Sequence, residues 1–124
     1  MNVVDSSAWL EYFAAEPNAE LFAPAVEEVS RLVVPTIVLY EVFKRVLQQA
    51  DEAAALQAAA SMAQAKQVDL TPRLALQAAG LSARLNLPMA DSIILTTARS
   101  HGATLWTQDS DFEGLEGVRY FPKR

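Results

Sequence analysis

The segment Met1-Asn2-Val3-Val4-Asp5-Ser6-Ser7-Ala8-Trp9-Leu10 decides how the rest of the chain is read. Val3 and Val4 are β-branched, and their run is short enough for a buried strand or a piece of buried helix. Asp5 ends that run. Ser6 or Ser7 is then placed to cap a helix that starts with Ala8-Trp9-Leu10. The chain therefore opens with a strand that ends on a carboxylate and turns into a helix. In open α/β sheets ligands sit outside the carboxyl ends of the strands, so the question becomes which other acids reach that edge.

Working outward, a first helix is expected over about 7–15, broken by Pro17-Asn18, and a second over about 19–30. Arg31-Leu32-Val33-Val34 reads as a strand stopped by Pro35. Thr36 is placed to cap a helix carrying Ile37, Val38, Leu39, Val42, Phe43, Val46 and Leu47. Residues 51–65 are rich in alanine, a strong helix former, and residues 66–70 form a short strand. Thr71-Pro72 supplies a cap followed by proline at the first helical position, opening a helix to about Leu85. A further helix runs from Met89 to His101 and ends at Gly102. Residues 103–107 and 118–121 are strands, separated by a turn or single helical turn at Asp109-Ser110-Asp111-Phe112. Strands alternating with helices imply an α/β fold, with a parallel sheet covered by helices on both faces. Residues 1–124 form one domain, with no internal repeat and no linker.

The composition narrows the chemistry. The absence of cysteine excludes a disulfide framework, a thiolate zinc site and a thiol nucleophile. No apolar run approaches a membrane span, and no basic-then-apolar leader is present, so a cytoplasmic protein is expected. A net charge of −5 argues against a dedicated nucleic-acid binder. It is compatible with a nuclease whose clustered carboxylates await a cation.

Four acids stand out by placement: Asp5 at the end of strand one, Glu41 in the second turn of the helix after strand two, Asp91 in the first turn of the helix after Pro88, and Asp109 just past strand four, followed by Asp111. Strand ends and the starts of the next helices share one edge of a parallel sheet, so all four can converge there. Such a cluster is unfavourable without a hard cation such as Mg²⁺ or Mn²⁺. Each acid also has a local reading. Asp5 can cap a helix, Asp91 can complement a helix dipole, Glu41 can pair with Arg45 one turn on, and Asp109-Ser110-Asp111 can form an Asx-type turn. An EF-hand starting at Asp109 lacks its terminal glutamate, since Tyr120 stands there. His101, at a helix end, offers little support for a serine–histidine site.

Taken together, the motifs resemble those of PIN domains, and most of all the small VapC-type ribonuclease toxins. The pieces are Val3-Val4-Asp5-Ser6-Ser7, Pro35-Thr36-Ile37-Val38-Leu39-Tyr40-Glu41-Val42, Leu87-Pro88-Met89-Ala90-Asp91-Ser92-Ile93-Ile94 and Leu105-Trp106-Thr107-Gln108-Asp109-Ser110-Asp111-Phe112. The resemblance implies a parallel sheet of about five strands with the first strand central. It implies a catalytic and metal-holding quartet of Asp5, Glu41, Asp91 and Asp109, with Asp5 and Asp91 as the main metal contacts. Thr107, Asp111 and Ser6 are accessory positions, and Lys44 and Arg45 become candidates for RNA-phosphate contacts. It further implies Mg²⁺ or Mn²⁺ as cofactor, RNA as substrate with 5′-phosphate and 3′-hydroxyl products, a homodimer, and a cognate antitoxin that covers the site. Part of the aromatic face of Trp9, Tyr12 and Phe13 is a candidate seat for an apolar antitoxin segment.

Two other classes compete. One is a catalytically inactive PIN-like module that only binds RNA or protein. The other is a receiver-type signalling domain, which needs a phospho-acceptor Asp at the third strand and a Lys after the fifth. Asp69 and Lys123 match that pattern poorly.

Overall fold

Five parallel strands, each only three or four residues long, alternate with six helices in the computed structural model, which describes residues 1–124. The strands are β1 (Asn2–Val4), β2 (Leu32–Pro35), β3 (Lys66–Val68), β4 (Thr104–Thr107) and β5 (Val118–Tyr120). The helices are α1 (Ser6–Phe13), α2 (Ala19–Glu27), α3 (Thr36–Gln49), α4 (Glu52–Met62), α5 (Pro72–Leu85) and α6 (Met89–Ser100). The sheet order is β3-β2-β1-β4-β5, so the first strand is central, as expected. Asn2 lies beside both Leu32 and Thr104, and Val3 beside both Val33 and Leu105.

Successive strand residues point to opposite faces of a sheet. Val3, Val4, Val33 and Val34 are all fully buried, so both faces are covered. That explains why β1 and β2 read as unbroken apolar runs. Trp9, Phe22, Met62, Leu105 and Phe112 fill the core around them. Leu105 sits at the junction of β1, β4 and β5, in register with Val3 and Val118. Leu105→Ala is expected to cost about 2–5 kcal/mol, read as a lower urea midpoint with unchanged m-value.

The helix starts refine the sequence reading. Asp5, not Ser6 or Ser7, is the N-cap of α1, because its carboxylate accepts the Ala8 N–H at 3.0 Å. Pro35, not Thr36, holds the N-cap position of α3, with no side-chain capping bond. Its missing N–H costs nothing at a helix start. The second helix stops at Glu27, and a separate 3₁₀ turn at Val29–Arg31 delays β2 to Leu32. Thr71 caps α5 through the Leu74 N–H, and Gly102 leaves α6 with φ +61°, both as expected.

Candidate active site

The C-terminal edge of the central strands is where the four placed acids meet. Asp5 directly follows β1, and Asp109 stands two residues past β4. Asp91 lies in the first turn of α6 and Glu41 in the second turn of α3, where helix N-termini favour negative charge. Together with Ser6, Ser7, Leu10, Arg45 and Ile94 these four acids line one cavity of about 240 Å³.

Asp5 is held from three directions. Its Oδ1 accepts from the Ser7 hydroxyl at 2.8 Å and the Ala8 N–H at 3.0 Å, and its Oδ2 accepts from the Thr107 hydroxyl at 2.6 Å. A carboxylate has about four lone-pair sites, so Oδ2 keeps one free. Capping and site-building are thus two uses of one side chain. Burial pushes the Asp5 carboxyl up to about 6, against the pull of the bonds from Thr107, Ala8 and Ser7; the negative charge of Asp109 adds to the rise.

Thr107 is fully buried and serves two acids at once. Its hydroxyl donates to Asp5 and accepts the Asp109 N–H at 2.9 Å, so it orients the end of β1 against the loop after β4. Thr107→Val leaves Asp5 Oδ2 and the Asp109 N–H without a partner. Removing such a supporting bond is expected to lower metal affinity or activity about 10–100-fold. A Mn²⁺ titration of the variant checks this.

Asp91, Asp109 and Asp111 form the tightest group, each offering a carboxylate oxygen within 4.8 Å of the others. Asp111, expected only as an accessory position, comes closer to Asp91 than the sequence pattern implies. Asp109 accepts the Asp111 N–H at 2.9 Å, which is the expected Asx-type turn, in a single 3₁₀ turn at Ser110–Phe112. Asp91 is pushed up to about 7, first by burial, then by the charges of Asp109 and Asp111, a hydrogen bond with Asp111, and the charge of Asp5. Three carboxylates held this close favour a cation of hard-oxygen preference. The donor set fits Mg²⁺ or Mn²⁺, and no sulfur or imidazole is present to favour a softer ion.

Glu41 is half-buried and accepts a short hydrogen bond from the Ser6 hydroxyl, linking α3 to α1. No Glu41–Arg45 ion pair forms; the one ion pair in the molecule joins Arg31 and Glu28. Arg45 lines the acidic cavity, but Lys44 does not. Lys44 lines a separate apolar groove with Leu39, Phe43 and Leu47, and its ammonium lies 5.8 Å from the Tyr40 ring. Trp9 is core, stacked on Phe13 at 5.4 Å, whereas Phe13 and Leu10 border a groove of about 360 Å³ between α1, α3 and α4.

One polar cluster had no sequence signal. Buried Glu11 accepts from the Asn18 N–H and from Gln108 Nε2, both at 3.0 Å. Asn18 donates to Gln108 Oε1 and to the Pro122 carbonyl, and accepts from Arg124 Nε. It joins α1, the loop after β4 and the last residues beside the acidic cavity.

Residues 3–118 match the family model described as the PIN domain. The chain belongs to the PIN domain family. Solved structures agree on the fold. A toxin–antitoxin complex from Klebsiella pneumoniae aligns with this PIN domain at a TM-score of 0.81 and 22% identity, covering 96% of each chain. VapC20 of Mycobacterium tuberculosis, described as a sarcin-ricin loop cleaving toxin, aligns at 0.79 and 18% identity, covering 94% of this chain and 95% of its own. A DNA-bound VapBC from Salmonella typhimurium aligns at 0.74 and 17% identity over 98% of each. No curated protein matches by sequence. The PIN fold disposes of the receiver reading: β3 is an edge strand, and Asp69 at its end is exposed. An EF-hand is equally absent, because β5 rather than a helix follows the Asp109 turn. No helix of this PIN domain is long and apolar enough to cross a membrane.

Proposed function

We propose that this PIN domain is a Mg²⁺- or Mn²⁺-dependent endoribonuclease acting as the toxin of a toxin–antitoxin pair. The observation that carries the reading is the convergence of Asp5, Glu41, Asp91 and Asp109, from four separate elements, in one cavity at the sheet edge. The toxin descriptions of the similar structures supply the biological setting.

Asp91, Asp109 and Asp111 would hold the ion, with the free Oδ2 lone pair of Asp5 at the same cavity. The bound ion would supply Lewis acidity, acidifying water and offsetting charge on the phosphate. The chain's own groups do the positioning. Thr107 fixes Asp5, Ser6 fixes one oxygen of Glu41, and the other Glu41 oxygen is left to accept a proton from water. Arg45 at the cavity wall is the cation nearest to hand for the RNA phosphate. Lys44 is withdrawn from that role by its position.

A cognate antitoxin and a second copy of the chain are the proposed partners. The groove bordered by Leu10 and Phe13 opens beside the catalytic edge, where an apolar antitoxin segment would sit. The test is incubation of the purified protein with structured RNA. Fragments ending in 5′ phosphate are expected with Mg²⁺ or Mn²⁺ and none with EDTA; intact RNA under every divalent condition would overturn the reading.

A further inference from the structure

A second polar cavity, of about 400 Å³, opens directly beside the acidic one and shares Ser7, Leu10 and Arg45 with it. Its cations come from distant parts of the chain: Arg45 from α3, Lys123 and Arg124 from the segment after β5. In a chain of net charge −5, three of the ten Lys and Arg residues gather in this one groove. Two carboxylates also line it. Glu16 is exposed, while Glu11 is buried, each of its oxygens accepting one hydrogen bond, from the Asn18 N–H and from Gln108 Nε2. Side chain for side chain, the groove carries three cations against two carboxylates, where the neighbouring cavity carries four carboxylates against one cation.

The cations are not absorbed by the fold. None is in an ion pair, and Lys123 is exposed with no hydrogen-bond partner in the chain. Arg124 is anchored but not exhausted. Its Nε donates to Asn18 Oδ1 at 2.6 Å and one Nη to the Pro17 carbonyl at 3.2 Å, leaving its other Nη without a partner in the chain. The buried cluster of Glu11, Asn18 and Gln108 thus holds a guanidinium in place at the groove, and a donor fixed in advance loses less freedom on binding.

We propose that this groove is the binding track for the RNA strand flanking the cut, with Lys123, Arg124 and Arg45 contacting successive phosphates. The proposal rests on the ribonuclease reading of the acidic cavity. Phosphates approaching four carboxylates are repelled, and the three cations of the adjoining groove offset that repulsion while setting which phosphate reaches the acids. The apolar lining is Leu10, Ala14 and Pro17, with no aromatic ring on which a base could stack. The track therefore holds the strand chiefly through its backbone phosphates.

Lys123→Gln tests this, with Lys66→Gln as the control. Lys66 is exposed at the start of β3, on the opposite edge of the sheet, and its loss changes net charge equally. The readouts are RNA cleavage with Mg²⁺ or Mn²⁺, and anisotropy of a labelled single-stranded RNA over a salt series. Lys123→Gln is expected to weaken binding several-fold and to reduce the slope of log affinity against log salt by about 0.7, one single-strand phosphate contact. The same variant should raise KM more than it lowers kcat, and Lys66→Gln should do neither. Equal affinities and slopes for the two variants, in a protein that cuts RNA, would overturn the track and leave the ribonuclease reading standing. Wild-type protein that leaves RNA intact would overturn that reading and the track with it.

Discussion

Asp5→Asn is expected to lower RNA cleavage by about 10³-fold or more while leaving the metal-free protein more stable at pH 8. The loss follows from exchanging a carboxylate at the cation site for a neutral amide, several kcal/mol of charge stabilisation at about 1.4 kcal/mol per tenfold. The fold should survive, because an amide oxygen at this position can still accept the Ala8 N–H that caps α1. The Thr107 hydroxyl can reverse and accept from the new amide. The gain in stability is a matter of linkage. Asp5 ionises near 3.8 when unfolded and at about 6 in the folded protein, so between those values the folded state holds a proton that the unfolded state lacks. Its stabilising contribution is complete below about 4 and is lost as pH rises through about 6. At pH 8 the charged, buried carboxylate opposes folding by about 3 kcal/mol, at 1.36 kcal/mol per pKa unit, and the substitution removes that opposition. Thermal unfolding of both proteins at pH 5 and pH 8 checks it. The midpoints should lie closer together at pH 5 and separate at pH 8, with the Asp5→Asn variant the higher of the two.

The second large effect is that of divalent metal on stability, which should depend strongly on pH. Asp91 is raised to about 7 by burial and by its acidic neighbours, and Asp5 to about 6. A cation must displace the protons these groups keep at pH 5, but meets carboxylates already ionised at pH 8. Without metal, the contribution of both groups falls as pH rises from about 4 to about 7. With Mn²⁺ that fall should be reduced or reversed. An ion at about a hundred times its Kd adds about 2.7 kcal/mol, seen as a clear rise in Tm at pH 8 and a much smaller one at pH 5. An equal rise at the two pH values would mean that the ion does not compete with these protons.

The sheet was legible because its strands are buried on both faces, which gives short β-branched runs between helical periods. Val3-Val4 broken by Asp5 is the clearest case, and the central place of β1 agrees with it. Helix starts were legible only to within one or two residues, since Ser6, Ser7 and Asp5 are all competent caps and the choice depends on which oxygen reaches Ala8. Glu41 shows what local periodicity cannot see. Its helical spacing placed it on the polar face of α3, correctly, but that face meets α1, and the Ser6 hydroxyl it binds lies 35 residues earlier. Arg45 and Lys44 are neighbours in sequence, yet about 100° apart around the helix, so one reaches the acids and the other a different groove. Asp111 gains its place only from the tightness of the 3₁₀ turn after Asp109. Glu11, Asn18, Gln108 and Arg124 are ordinary polar residues in the sequence, and only the return of the last segment past α1 brings them together.

The most direct test of the metal-dependent ribonuclease is a Mn²⁺ titration of the wild-type protein and Asp91→Asn, followed in parallel by ion binding and by RNA cleavage. Asp91 belongs both to the tight carboxylate group and to the acidic cavity, and unlike Asp109 it caps no turn whose loss would blur the result. Binding and cleavage should rise together in the wild type and be lost together in Asp91→Asn, with the fold intact. RNA cleavage that persists in Asp91→Asn, or that proceeds with the ion chelated, would contradict the account.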